Sequence, residues 1–82
     1  MTQISRTPRQ LGAVLRRYRK QDGSTQASLA ERINKRQATV SSLESVGSGN
    51  LETLFAVLSA LDLELIVRPR TKNTTDQLEG IF

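Results

Sequence analysis

Helix-start and helix-stop signals follow one another so closely along this chain that no long helix fits between them. Thr7-Pro8 reads as a start. Thr accepts hydrogen bonds from first-turn amides, and Pro at the first helical position loses only an N–H that has no partner there. Asp22-Gly23 reads as the stop, because Gly adopts the left-handed backbone that closes a helix. Thr25 caps a second run to Ile33, and Asn34 turns it, Asn being second to Gly in left-handed backbone. A third run goes from Gln37 to about Glu44 and meets the loop Gly47-Ser48-Gly49. Asn50 opens a fourth, from Leu51 to about Leu61. The expected fold is all-α, four to five short helices packed together.

Each run carries an apolar stripe. Leu11, Val14, Leu15 and Tyr18 recur at helical spacing in the first. Leu29, Ala30 and Ile33 face inward in the second, and Val40 and Leu43 form the buried pair of the third. Leu51, Leu54, Phe55, Leu58 and Leu61 make the strongest stripe, in the fourth. The period then changes. Leu63, Leu65 and Val67 alternate with Glu64, Ile66 and Arg68, which predicts a strand ended by Pro69. The expected division is an N-terminal arm over 1–6, a helical domain over 7–62, a strand over 63–69 and a polar flexible tail over 70–82. A chain of 82 residues is one domain's worth and buries only about 60% of its unfolded surface.

One strand in an otherwise helical chain has nothing to pair with. Pairing with its own copy across a two-fold axis satisfies both edges, antiparallel and isologous. The expectation is a homodimer joined by an intersubunit two-stranded sheet, with Leu63, Leu65, Ile66 and Val67 at the interface. A strand folded against its own domain, or a fifth helical turn, is the competing reading.

Composition narrows the function. The chain has no His and no Cys, which removes zinc and iron–sulfur ligation, disulfides and His-based acid–base chemistry. Its eight acids show no catalytic spacing. No enzyme, metal or cofactor is expected. The polar first residues and the broken apolar stretch Leu51 to Val67 predict no leader and no membrane span, hence a cytoplasmic protein. Charge is uneven. From Arg6 to Arg36 nine basic residues face two acidic ones, and from Gln37 to Val67 there are four acids and no base. A basic half steers a polyanion toward it. Arg9, Arg16, Arg17, Arg19 and Lys20 on the first helix read mostly as a solvated face, with one or two touching phosphate.

Two short helices around a tight turn, within a basic half, suggest a helix-turn-helix, whose second helix enters the DNA major groove while the first crosses the backbone. On the third helix, Ala38, Ser41 and Ser42 lie opposite Val40 and Leu43, with Gln37 on the flank. Gln37 suits adenine N6/N7, Ala38 a thymine methyl, and the two serines a base edge or the backbone. Arg36 stands at the entrance to this helix. These five are the candidate base-contacting residues. Thr25 and Gln26, at the start of the second helix, are candidate phosphate contacts, as are Lys35, Thr39 and Arg16. The plain alternative for each is ordinary polar surface or capping.

The run Gly23-Ser24-Thr25-Gln26-Ala27-Ser28-Leu29-Ala30-Glu31-Arg32-Ile33, followed by Arg36-Gln37-Ala38-Thr39-Val40-Ser41-Ser42-Leu43-Glu44, resembles the Cro/λ-repressor-type helix-turn-helix family. The resemblance covers about Leu11 to Leu63. The strand after the fourth helix, the Lys-Arg-Gln-Ala-Thr approach to the third, and a polar tail ending in apolar residues further resemble the HipB-type antitoxins. That resemblance implies a λ-repressor-like domain and a prokaryotic, nucleoid-associated homodimer that binds a palindromic operator and represses its own operon. It also implies binding to a kinase-fold toxin of the HipA type. A stand-alone Cro-type repressor and an interaction adaptor that has lost DNA binding are the alternatives. Ile81 and Phe82, an apolar pair closing the tail, are candidate partner-docking residues. Two positions depart from the family pattern. Ser24 replaces a large apolar residue that would staple onto Leu29, which predicts a looser start to the second helix. Lys35 replaces a turn Val or Ile, its stem still able to cover the core.

Overall fold

The computed structural model describes residues 3–70. It contains four helices: α1 (Pro8–Asp22), α2 (Gln26–Arg32), α3 (Gln37–Val46) and α4 (Leu51–Ala60). The caps that define them are those the residue types dictate. Thr7 Oγ1 accepts from the Gln10 amide at 3.1 Å, and Asn50 Oδ1 from the Thr53 amide at 2.8 Å. Thr25 and Ser28 exchange hydrogen bonds reciprocally, a capping box of 3.0 and 2.9 Å.

All four helices end on a left-handed residue: Gly23, Asn34, Gly47 and Asp62, with φ of 81°, 57°, 74° and 59°. In each case the next amide returns to a carbonyl in the last turn, as Lys35 N–H does to Ala30 at 2.9 Å and Leu63 N–H to Leu58 at 2.7 Å. Asp62 is the one terminator that the sequence does not announce. Its short polar side chain tolerates this backbone.

α1 packs on α3, α3 on α2, and α2 on α4. Leu15, Leu29, Val40 and Val57 are the most buried side chains of the shared core, which Ala30, Leu43, Leu54, Leu58 and Leu61 complete. Leu11, Tyr18, Ile33 and Leu63 pack against it, half-buried. The α1–α3 contact is close enough to involve backbone. A Cβ placed on Gly12 would lie 2.3 Å from the Leu43 carbonyl oxygen and 2.8 Å from that of Glu44. Glycine is required there by space, not by dihedral angle.

Two expectations need correction. Leu51 and Phe55 do not enter the core and are 69% and 51% exposed. The α4 stripe is wider than its buried part, and Thr53 and Val57 fill the inner face instead. Arg19 is not on a solvated face but buried against Glu44. Ser24 has polar contacts of its own. Its hydroxyl donates to Asp22 Oδ2 and accepts from Arg32 Nη1 at 2.9 Å, so polar contacts stand where an apolar staple would be.

Residues 63–70 run out from α4 without helix and without a ladder to any other described residue. Leu65, Ile66 and Val67 are exposed. Among the described residues this segment has no strand-pairing partner. Ile81 and Phe82 lie outside the described residues.

Candidate nucleic-acid interface

The site is built around a buried ion pair. Arg19 of α1 meets Glu44 of α3 through two hydrogen bonds, Nε to Oε2 at 2.6 Å and Nη2 to Oε1 at 3.0 Å. Nη1 of the same guanidinium donates to the Ser24 carbonyl at 2.7 Å. Gln26 Nε2 of α2 donates to Glu44 Oε1 at 3.1 Å. One carboxylate therefore fixes α1, the start of α2 and α3 relative to one another. No buried side-chain polar atom among the described residues lacks a partner. That is the condition under which a buried pair specifies geometry without leaving a stray charge.

A second, exposed set holds the other side. Arg32 Nη1 bridges to Asp22 Oδ2 at 3.0 Å, and Arg32 Nη2 donates to the Ala60 carbonyl of α4. The Ser24 hydroxyl and the Arg32 guanidinium hold the Asp22 carboxyl below its ordinary value of 3.8. This set ties the end of α1 and the last turn of α2 to the end of α4.

On this frame α3 presents an outer face. Gln37, Ala38 and Ser42 are exposed, and Ser41 is partly covered. Ser45 also lies on this face, its hydroxyl donating to the Ser41 carbonyl at 2.8 Å. Sequence reasoning does not single it out, although a spacing of four from Ser41 places it there. Arg36 is exposed and adopts the N-cap position of α3 without a side-chain capping bond, unlike the caps of the other three helices. The first-turn amides of α3 are thus met by no side chain of the cap.

The candidate phosphate-contacting residues divide. Arg16 is exposed, and Thr39 is half-buried. The Thr25 hydroxyl is occupied by capping, and the Gln26 amide is held by Glu44. Lys35, half-buried in the turn, reaches Glu52 of α4 at 3.3 Å. Among the described residues no cluster of three potential metal ligands exists, and no helix is long and apolar enough to cross a membrane.

A capped helix, an Asn-led turn and a second helix with a bare outer face, tied to each other by the Gln26–Glu44 hydrogen bond and to α1 by the buried Arg19–Glu44 pair, define a helix-turn-helix protein. The chain belongs to the helix-turn-helix family HTH_3, whose model matches residues 15–67. Within that family it is HipB-like. It is 37% identical to antitoxin HipB of Escherichia coli K12 over 60 residues, 72% of this chain and 68% of that antitoxin. The match to antitoxin HipB of Escherichia coli O6:H1 has the same identity and covers 64% of its length, just under two thirds. Among solved structures, a HipB-O4 20mer complex matches with a TM-score of 0.78 at 32% identity, over 85% of this chain and 100% of the other. A HipA-HipB-O2-O3 complex matches with the same values.

Proposed function

We propose that this chain is a homodimeric, sequence-specific DNA-binding repressor that autoregulates its operon and acts as the antitoxin to a kinase-fold toxin of the HipA type. The observation that carries the reading is the outer face of α3, polar, uncapped at its N-terminus and clamped to α1 and α2 by Glu44. Arg36, Gln37, Ala38, Ser41 and Ser42 read base edges in the major groove. Arg16, Thr25, Gln26, Lys35 and Thr39 contact the flanking phosphates. The solved complexes of HipB with the O4 20mer and with HipA support both halves of this reading.

The dimer is carried by apolar surface exposed among the described residues. A shallow groove between α4 and the following segment is lined by Phe55, Leu58, Leu63 and Leu65. Beside it, Ile66 and Val67 are 69% and 88% exposed. Two copies of residues 63–68, paired antiparallel, satisfy their own edges and cover this groove.

Co-expression with a HipA-type kinase tests the antitoxin function. The chain is expected to form a stable complex with the kinase and to relieve its growth arrest. Unrelieved arrest and no complex would leave a repressor without a toxin.

A further inference from the structure

A groove runs between α1 and the C-terminal half of α3. Its walls are Arg9, Arg16, Arg17 and Lys20 from α1 and Ser45 from α3, with Ala13 and Glu44 completing the lining. The spacing 9, 13, 16, 17, 20 is one stripe of an α-helix, so four cations stand in a row about 16 Å long. Among the described residues Arg9, Arg16 and Lys20 have no carboxylate partner, and Arg17 Nη1 donates to neutral Gln3 Oε1 at 3.2 Å. The one acid in the lining, Glu44, is already neutralised by Arg19. The groove therefore has a strong positive field with no internal counter-charge. Ala13 leaves its floor low, and Ser45 belongs both to this groove and to the outer face of α3.

We infer that this groove is a second DNA-backbone surface, holding consecutive phosphates of the strand that flanks the bases read by α3, with Arg9, Arg17 and Lys20 as contacts beyond those of the recognition unit. The inference rests on the DNA-binding reading above and deepens it. A row about 16 Å long spans several phosphates of one strand, which rise about 3.4 Å apiece along the duplex axis. Continuity with the α3 face favours nucleic acid over an acidic protein as the occupant. Such contacts add affinity and salt dependence without sequence preference.

The test compares wild type, Arg9→Gln/Lys20→Gln and Gln37→Ala on two probes, the duplex selected by wild type from a randomised pool and a scrambled duplex, over a range of salt. Arg9 and Lys20 are exposed, and thermal melts check that the double variant stays folded. The expected result is that the double variant weakens binding by the same factor on both probes. Its slope of log K against log salt should shrink by about 0.9 for each phosphate that is no longer neutralised. Gln37→Ala should instead lose preference for the selected duplex and keep its slope. An unchanged slope and affinity in the double variant, with wild type still binding steeply, overturns the groove but leaves the DNA reading standing. Loss of toxin binding in that variant with intact duplex binding also overturns it, assigning the groove to a protein partner. Failure of wild type to bind any duplex overturns both.

Discussion

The Arg19 guanidinium and the Glu44 carboxylate form a bidentate pair across the α1–α3 crossing, with their side chains 8% and 4% exposed. Glu44 also takes the Gln26 amide, so the orientation of the whole helix-turn-helix against α1 passes through one carboxylate. Removing one partner strands a buried charge, at a cost of about 3–5 kcal/mol. Arg19→Leu is expected to lose stability in that range by denaturant unfolding. Arg19→Leu combined with Glu44→Leu should recover much of it, because two apolar side chains carry no desolvation cost. A double variant no better than the single would assign the loss to packing or to the bonds with Ser24 and Gln26.

Gly12 is the second lock on the same crossing. In Gly12→Ala the new methyl would meet two carbonyl oxygens of α3 at 2.3 and 2.8 Å, and backbone cannot rotate away as a side chain can. The helices must part. Overpacking of this kind costs about 1–3 kcal/mol. The expected readouts are a lower unfolding midpoint and a weaker preference for the selected duplex, since α3 moves with its backbone.

The exposed Asp22 set responds to acid. The Ser24 and Arg32 hydrogen bonds lower the Asp22 pKa from its ordinary 3.8. A carboxyl depressed in the folded state contributes stability above its unfolded pKa and loses it as pH falls through the folded value. Asp22→Asn should therefore melt slightly below wild type at neutral pH. The two melting temperatures should converge as pH falls below about 4. A gap that persists in acid would show that the carboxylate charge is not what matters.

Residues 65 and 67 separate dimerisation from folding. Leu65 and Val67 are 48% and 88% exposed in the single chain, so Leu65→Glu/Val67→Glu should keep the helical circular dichroism of wild type. In sedimentation equilibrium the wild type is expected to be a dimer at micromolar concentration and the variant a monomer. A monomeric wild type would remove the strand-pairing account.

Helix boundaries are legible in the sequence because caps act within a few residues. Thr7, Thr25, Asn34 and Asn50 each do locally what their side-chain chemistry permits. What escapes is decided by distant neighbours. Arg19 looks like its exposed neighbours Arg16 and Arg17 on the helix, and only the arrival of Glu44, 25 positions later, makes it an interior residue. Leu51 and Phe55 fit the apolar period of α4, but a period marks an apolar face without saying which chain covers it. Ser24 reads as a lost staple because its replacement contacts come from Asp22 and from Arg32 a helix away. The outer face of α3 is readable from Val40 and Leu43 by angle alone, since one buried pair on a short helix fixes what lies opposite.

Base reading by α3 is open to direct measurement by selection from a randomised duplex pool. Wild type should select two inverted half-sites about one helical turn apart. Gln37→Ala should select the same site with one position in each half relaxed, at a cost of about 1–3 kcal/mol on the original duplex. Enrichment of no sequence by wild type, or an equal loss on every duplex for Gln37→Ala, would contradict it.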